Sequence, residues 1–280
     1  MAGSLILVPT PIGNLGDISP RAAEALRTAD FIAAEDTRVS RKLLSHLEIK
    51  RPLVSYHEHN KAGSGQQILG RLLAGETCAL VTDAGTPAIS DPGEDLVRLC
   101  AGAGVPVTAI PGPCAAITAL AVSGLPTGRF TFEGFLSVNK KSRRAHLESL
   151  RGEKRTMIFY EAPHKLIGTL EDLGAAFGPE RRITLCRELT KLHEEVLRMT
   201  LGEALAYHRE QAPRGEYVLI LEGAPAEEAP GVSLEEALRR VRELRDQGLR
   251  LKDACRMAAE ETGLGRNELY DAALRDREAE

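Results

Sequence analysis

The chain has 280 residues, of which 43% are hydrophobic and 27% are charged, a balance typical of a soluble globular protein. No apolar run approaches the roughly 20 residues that span a bilayer, and no basic segment precedes the apolar start. We therefore expect a cytoplasmic protein with neither a membrane segment nor a signal peptide. The formal net charge of −4 excludes attraction of nucleic acid by the field of the whole molecule, so RNA would have to bind a local patch.

The first part of the chain alternates short β-rich runs with helical patterns. Ser19 and Pro20 are typical of an N-cap and a first helical position, and Gly124 is typical of a helix end. Strands are predicted at 4–8, 31–34, 53–56, 77–81 and 105–109, and helices from 19, over 39–47, 66–73 and 94–103, and after 113. This spacing predicts βαβ units, a mostly parallel sheet and a domain that covers residues 1–124.

The alternation continues in residues 125–223, which we predict to be a second α/β domain. Strands are predicted at 130–133, 156–160, 183–188 and 217–222, and helices at 142–150, 164–176 and 203–209. Residues 223–231 have the composition of an exposed linker. Residues 232–280 have a purely helical pattern, which begins with a capping box of Ser233 and Glu236 and predicts a small helix-turn-helix-like domain.

Three loops of the first domain follow predicted strands. They read VPTPIGNLGD at 8–17, VTDAGTPAISDPG at 81–93 and AIPGPCAAITAL at 109–120. In open α/β sheets, ligands bind at the carboxyl ends of the strands, and loops rich in glycine and proline let the backbone approach a ligand in a preset shape. No GxGxxG or GK[ST] pattern is present. The residues alone leave two interpretations open, ordinary turns or a small-molecule pocket.

These loops also carry a resemblance to a known family. Together with AEDTR at 34–38, SYHEHN at 55–60, YEAPHK at 160–165 and RELTKLHEE at 187–195, they resemble the tetrapyrrole-methylase superfamily. PIGNLGD and DAGTP depart from the corresponding loops of the porphyrin-precursor enzymes. They are more similar to a branch that methylates the ribose 2′-hydroxyl of a cytidine in 16S ribosomal RNA, and the resemblance covers nearly the whole chain.

The resemblance implies a tetrapyrrole-methylase-like α/β fold with two α/β domains, a cofactor cleft between them and a small C-terminal helical domain. It also implies S-adenosylmethionine as the cofactor, 16S rRNA or the small ribosomal subunit as the partner, and a homodimer. Carried over by motif, the cofactor-binding residues would be Pro11, Ile12, Asp83, Ala84, Gly85, Ala88, Cys114, Ala115, Tyr160 and Glu161.

A ribose hydroxyl is a weak nucleophile, so a base or a hydrogen-bond acceptor beside it would help the transfer. Glu133, at a predicted strand end, is our candidate for this catalytic role, although it could instead brace a loop. The other candidates are Glu35, Asp36, His57, His59, Lys191 and His193. The five cysteines have no zinc-like spacing, which predicts reduced thiols, and we expect no metal.

A basic segment at 137–155 holds seven Lys or Arg against two acidic residues. In an acidic protein, this cluster is typical either of a surface that contacts phosphates or of a solvated helix face. The predicted RNA-contacting residues are Arg38, His57, His59, Lys140, Lys141, Arg143, Arg144 and Lys165. The alternatives remain open: a metal pair or a polar loop for the histidines, and a solvated position for Arg38 and Lys165.

Three hypotheses for the function follow, in order of preference. The first is an S-adenosylmethionine-dependent rRNA ribose 2′-O-methyltransferase. The second is a methyltransferase of a porphyrin or corrin precursor, which leaves the basic segment and the helical tail without a role. The third is a non-catalytic RNA- or nucleotide-binding protein, which predicts binding without turnover.

Overall fold

The computed structural model describes residues 3–225 and 233–278, with side chains up to residue 275. The chain divides after Ala224 into two compact units. The first unit contains two five-stranded sheets, and the second contains helices. A helix-rich C-terminal part was predicted from the periodicity of its apolar residues.

The first sheet is parallel throughout and has the strand order β3-β2-β4-β1-β5. Its elements are β1 (Leu5–Leu7), α1 (Pro20–Thr28), β2 (Phe31–Ala34), α2 (Thr37–His46), β3 (Leu53–Ser55), α3 (Lys61–Leu73), β4 (Cys78–Val81), α4 (Glu94–Gly102), β5 (Val107–Ala109) and α5 (Ala115–Ser123). Every residue of β2 and β4 is buried, as expected of inner strands that are covered on both faces. Helices α1 and α2 pack on one face, and α3 and α4 on the other.

The predicted parallel sheet is thus confirmed, and its element bounds shift by a few residues. The largest shift is in α3, which begins at Lys61 instead of 66. Gly63 and Gly65 lie in its first turns, and such residues weaken the helical pattern that a sequence displays. Ser19 caps α1 by accepting a hydrogen bond from the backbone N–H of Ala22, at 3.1 Å, as its position before Pro20 predicted.

The second sheet has the order β6-β7-β10-β8-β9. Its elements are β6 (Phe130–Phe135), α6 (Lys140–Ser149), β7 (Thr156–Glu161), α7 (Leu166–Phe177), β8 (Arg182–Arg187), β9 (Glu195–Thr200), α8 (Leu201–Glu210) and β10 (Tyr217–Leu221). Among these strands β6 and β7 pair in parallel, whereas β10 and β9 pair antiparallel with their neighbours. This sheet is therefore mixed, and does not repeat the parallel arrangement of the first.

Strand β9 was not predicted from the sequence. It is an edge strand in which no residue is buried, so it lacks the apolar run that marks an inner strand. It forms a hairpin with β8, in which the side chains of Arg187 and Glu195 form an ion pair across the two strands. The turn of this hairpin carries Lys191 and His193, which were considered above as possible bases.

Helix α5 connects the two sheets. Its residues Ala116, Ala119 and Leu120 pack on Ile158 and Val218 of the second sheet. The other face of that sheet is covered by α6, α7 and α8. Gly124 ends α5 in the left-handed conformation, at φ 77°, as predicted. A domain boundary between residues 124 and 125 stays a prediction, because both sheets belong to one compact unit.

The second unit consists of α9 (Leu234–Asp246), α10 (Leu251–Thr262) and α11 (Arg266–Glu278). Ser233 and Glu236 form the predicted capping box at the start of α9. The three helices share an apolar core that includes Val241, Leu244, Cys255 and Leu269. The predicted linker at 223–231 lies mostly outside the described residues.

Candidate active site

A pocket of about 570 Å³ lies where the loops of the first sheet meet the second sheet. Loop residues on its lining include Ile12, Glu35, Asp83, Ala84, Gly85, Thr86, Ile89, Ser90, Asp91, Cys114 and Ala115. The second sheet and the segments that join its strands and helices contribute Phe135, Tyr160, Glu161, His164, Cys186, Leu189, Glu216 and Val218. The volume is within the range of roughly 300–1,000 Å³ that small-molecule sites occupy.

The three glycine- and proline-rich loops are joined by hydrogen bonds. The backbones of Thr10 and Gly85 exchange two hydrogen bonds of 3.0 Å, and the Thr10 hydroxyl donates to the carbonyl of Thr82 at 3.1 Å. The Thr86 hydroxyl donates to the carbonyl of Pro113 at 2.9 Å. Gly85 has a φ of 89°, and a Cβ at that position would lie 3.3 Å from Ile12. The loops therefore form a connected frame rather than independent turns.

A fourth segment braces the first loop. The turn between β8 and β9 passes so close to Gly13 that a Cβ there would lie 2.5 Å from Cγ of Lys191 and 3.0 Å from the hydroxyl of Thr190. Lys191 Nζ is held 2.8 Å from a carboxylate oxygen of Glu188 and 2.8 Å from one of Glu216. Lys191, considered above as a base, is thus bound to two carboxylates and holds the brace together.

The first-sheet side of the pocket is acidic. The Thr82 hydroxyl donates to Glu35 Oε2 at 2.7 Å, and the backbone N–H of Asp36 donates to Asp83 Oδ1 at 3.1 Å. Burial and the nearby charges of Glu35 and Asp83 raise the pKa of Asp91 to about 6. Burial also raises the pKa of Asp83. One carboxylate on this wall can therefore exchange a proton near neutral pH.

The opposite side of the pocket is aromatic and apolar. The ring of Tyr160 makes edge-on contacts with Phe132 and Phe135, at centroid distances of 5.1 and 5.5 Å. Its hydroxyl oxygen accepts a hydrogen bond of 3.1 Å from the backbone N–H of Ala116. Burial raises the pKa of Tyr160 to about 12, so the phenol stays protonated and keeps its own proton available as a donor.

Most of the predicted cofactor residues lie together on this pocket: Ile12, Asp83, Ala84, Gly85, Cys114, Ala115, Tyr160 and Glu161. The pocket lining, as far as the described residues define it, does not include Pro11 or Ala88. Glu161 is buried and its carboxylate is engaged, because it accepts hydrogen bonds from the N–H of Ala162 and from the Thr169 hydroxyl. That engagement favours a structural role for the Glu161 side chain.

The predicted base, Glu133, lies elsewhere. Its Oε2 is 2.8 Å from Nε2 of His146, and Glu133 is not among the described residues that line the pocket. The arrangement favours the brace that was considered as its alternative role. Asp91 was not among the candidates for the base, although it lies in the same loop as Asp83. The fold buries Asp91 and brings Glu35 close to it, and both effects raise its pKa.

The predicted RNA-contacting residues are dispersed over the surface of the first unit. Lys140, Lys141, Arg144 and Lys165 are exposed. Arg143 instead faces inward: it forms an ion pair with Asp172 and donates a hydrogen bond of 2.8 Å to Thr169. An exposed phosphate-binding role for Arg143 therefore does not fit its position, because the side chain joins α6 to α7.

The histidine pair and Arg38 lie near the start of helices. The ring centroids of His57 and His59 are 6.0 Å apart, and the backbone N–H of His57 donates to Asn60 Oδ1 at 2.8 Å. Arg38 pairs with Asp36 at 2.6 Å but remains largely exposed. Among residues 3–225 and 233–278, no group of three or more His, Cys, Asp or Glu side chains is arranged to hold a metal ion.

All five cysteines have free thiols, and all but Cys114 are buried. Their burial fits the predicted reduced state, which stays a prediction. Within the described ranges, no helix has the length and apolar character needed to cross a bilayer.

Comparison with known proteins first defines the class of protein to which the chain belongs. The family model described as Tetrapyrrole (Corrin/Porphyrin) Methylases matches residues 4–205, and that described as RsmI C-terminal HTH domain matches residues 232–277. The fold is similar to a uroporphyrin-III C-methyltransferase from Thermus thermophilus, solved with S-adenosylhomocysteine, with a TM-score of 0.53 and 19% identity over 79% of this chain and 97% of that chain. The predicted fold class is confirmed.

Closer relatives narrow the family. A protein of Synechocystis sp. named Ribosomal RNA small subunit methyltransferase I is 52% identical over 97% of this chain and 98% of its own length. A protein of the same name from Escherichia coli O157:H7 is 48% identical over 97% and 95%. The chain belongs to the tetrapyrrole methylase family, in the branch of these rRNA methyltransferases. The predicted family and its class of activity, methyl transfer from S-adenosylmethionine, are confirmed.

Proposed function

We propose that this chain methylates the ribose 2′-hydroxyl of a cytidine in 16S rRNA, with S-adenosylmethionine as methyl donor. The observation that carries the proposal is similarity at about half of all positions, over nearly the full length, to proteins named as rRNA small subunit methyltransferases. That similarity includes the C-terminal helical domain, for which a porphyrin substrate offers no role. We also propose that the protein acts in the cytoplasm and that it forms a homodimer.

The residues of the pocket fit the proposed cofactor. Ala84, Gly85 and Ala115 leave room for a flat adenosine beside the loop backbone, and Tyr160 offers an aromatic edge. Glu35 and Asp83 place negative charge on one wall, which suits a ligand with a positively charged sulfur and an ammonium group. When bound, S-adenosylmethionine supplies a methyl group on a good leaving group. The protein supplies orientation, which accounts for much of the rate of such a transfer.

We assign the proton acceptor to Asp91. Its side chain lies on the pocket wall, whereas Glu133 is held by His146 outside the lining. Glu35 and Asp83 lie beside it, where they accept hydrogen bonds from Thr82 and from the backbone of Asp36. With a pKa of about 6, Asp91 is ionised at neutral pH and can accept the proton that leaves the ribose hydroxyl.

The test uses purified protein, S-adenosylmethionine with a labelled methyl group, and small subunits or 16S rRNA that lack the modification. A 2′-O-methyl group blocks alkaline cleavage at its own linkage, so we expect the label in an alkali-resistant dinucleotide that contains cytidine. DNA of the same sequence and a porphyrin precursor are the control substrates. Label in alkali-labile mononucleotides would contradict ribose methylation, and label confined to the porphyrin would move the chain to the small-molecule branch.

A further inference from the structure

Residues 37–53 form the second basic region of this acidic protein. They contain five Lys or Arg and one acidic residue. The cations are Arg38, Arg41, Lys42, Lys50 and Arg51, and we call them the α2 surface. All five are exposed. Three lie on α2, and Lys50 and Arg51 lie on the loop that leads from α2 to β3. This local positive charge is opposite in sign to the net charge of the whole molecule, so we looked for a ligand that this surface could bind by its charge.

The helix turns these cations to one side. Arg38, Arg41, Lys42 and Ser45 follow the spacing of one helix face, whereas Ser40 and Leu44 are buried against the sheet. Lys50 and Arg51 return to the same side, since they line a shallow cavity of about 410 Å³ together with Arg41 and Ser45. The loop and the helix thus contribute cations to one concave surface.

Most of this positive charge is not neutralised within the protein. Arg38 pairs with Asp36, but Arg41, Lys42, Lys50 and Arg51 make no hydrogen bond or ion pair through their side chains within the described part of the chain. In α6 and the residues after it, by contrast, Arg143, Arg151 and Arg155 are paired with Asp172, Glu148 and Glu153. Unpaired Lys and Arg side chains can neutralise the phosphates of a nucleic acid, which releases the cations condensed on that polyanion with a gain in entropy.

The α2 surface begins at the pocket. Glu35 lines the pocket, and α2 starts at Thr37 and ends at His46. A helix of that length extends about 15 Å, at 1.5 Å for each residue. The cations therefore lead away from the pocket wall that carries Asp91, along the outer side of the first sheet. A polymer whose reacting group lies in the pocket could follow this direction, whereas a free small substrate would not need it.

We propose that the α2 surface binds backbone phosphates of the RNA strand that flanks the target nucleotide. This inference rests on the proposed function, and it identifies the part of the protein that holds the substrate. Guanidinium and ammonium groups on a concave surface fit successive phosphates without reading the bases. The surface then contributes to affinity and to the position of the strand, and the pocket contributes the chemistry.

The experiment measures RNA affinity as a function of salt. Two variants each remove two charges: Arg41→Gln with Lys42→Gln, and Lys50→Gln with Arg51→Gln. A control variant, Arg98→Gln with Arg129→Gln, removes the same charge from exposed positions on another helix and beside the second sheet. Binding of a 16S rRNA fragment is measured by anisotropy between about 50 and 200 mM salt, where phosphate contacts are most evident.

We expect each α2 variant to weaken RNA binding by roughly tenfold at about 0.1 M salt, and to reduce the slope of log Kd against log salt by about 1.5. The KM for RNA should rise, with kcat at saturating RNA, cofactor affinity and thermal unfolding unchanged. Wild-type values for Kd and slope in both α2 variants would overturn the inference, as would an equal loss in the control variant.

Methylation of rRNA by the wild-type protein tests the proposed function, independently of the RNA affinities of the variants. A wild-type protein that binds the fragment but does not methylate rRNA would contradict the function, and the variants would still decide whether the α2 surface binds RNA. A wild-type protein that neither binds nor methylates RNA would overturn both.

Discussion

The two walls of the pocket are built in different ways. The first sheet contributes the ends of parallel strands and the loops that follow them, and these carry Glu35, Asp83 and Asp91. The second sheet contributes a strand face: Val218 pairs in register with Tyr160 on one side and with Cys186 on the other, and all three line the pocket. Loop ends can place several carboxylates together, whereas a strand face presents a row of packed side chains.

This difference assigns separate tasks to the two halves of the first unit. We expect a change at Asp91 on the acidic wall to alter the rate of methyl transfer and changes on the strand face to alter cofactor affinity. Changes behind the strand face should alter stability alone.

The largest effect is expected from Asp91→Asn. The amide cannot accept the proton from the ribose hydroxyl, so kcat should fall by about 10²-fold or more, with cofactor affinity retained. Single-turnover methylation of rRNA and calorimetric binding of the cofactor measure the two quantities. Asp95→Asn is the matched control, because Asp95 pairs with Lys61 outside the pocket lining. An Asp91→Asn enzyme with a wild-type rate would remove the assigned role.

The next effect is the pH dependence of the rate. The pKa of Asp91 is raised to about 6, so the base is ionised above that pH and becomes protonated below it. Between pH 7 and pH 5, the single-turnover rate should therefore fall about tenfold. Cofactor affinity measured over the same range identifies any contribution from binding. A rate that stays constant down to pH 5 would mean that Asp91 does not accept the proton.

A smaller effect is expected from the strand face. Tyr160→Ala removes the ring that packs on Phe132 and Phe135, and should raise the Kd for S-adenosylmethionine several-fold, up to about tenfold. Tyr160→Phe keeps the ring, so its Kd for S-adenosylmethionine should lie between those of Tyr160→Ala and the wild type. If Tyr160→Ala lowered kcat at saturating cofactor and left Kd unchanged, the division of tasks between the walls would be wrong.

The smallest effect on activity is expected behind the strand face. Thr169→Val removes the hydroxyl that donates to the buried Glu161 and leaves that carboxylate with an unmet acceptor. The loss should be about 1–3 kcal/mol in the free energy of unfolding, which denaturant titration measures, with cofactor affinity nearly unchanged. Thr169→Ser restores the hydroxyl and should recover most of the stability. Equal stability of Val and Ser variants would contradict this role.

Sequence reasoning predicted the first sheet well because its inner strands are continuous apolar runs between loops with distinctive glycines and prolines. It missed β9 because an edge strand with no buried residue has no such run. It included Arg143 in an exposed basic face because a count of charges does not show which side chain turns inward toward Asp172.

The residues of the candidate site also differ in how well the sequence predicted them. Most of the cofactor residues were found through motifs, which lie in contiguous segments. Asp91 was not singled out, because its raised pKa depends on its burial and on Glu35, which is distant in the sequence and adjacent only after folding. Of the α2 surface only Arg38 was singled out from the sequence, since the other cations come from a helix and from the loop that returns beside it.

The brace between Gly13 and the turn at Thr190 and Lys191 links the pocket to the order in which the chain is synthesised. The first sheet is complete once β5 has emerged, but its first loop gains its supporting turn only after β8 and β9 have followed. At roughly 5–20 residues per second, the ribosome takes on the order of 5–20 s to make that intervening chain. During this interval a nascent chain has the first wall of the pocket without its support, so we expect cofactor binding to arise late in translation rather than with the first sheet.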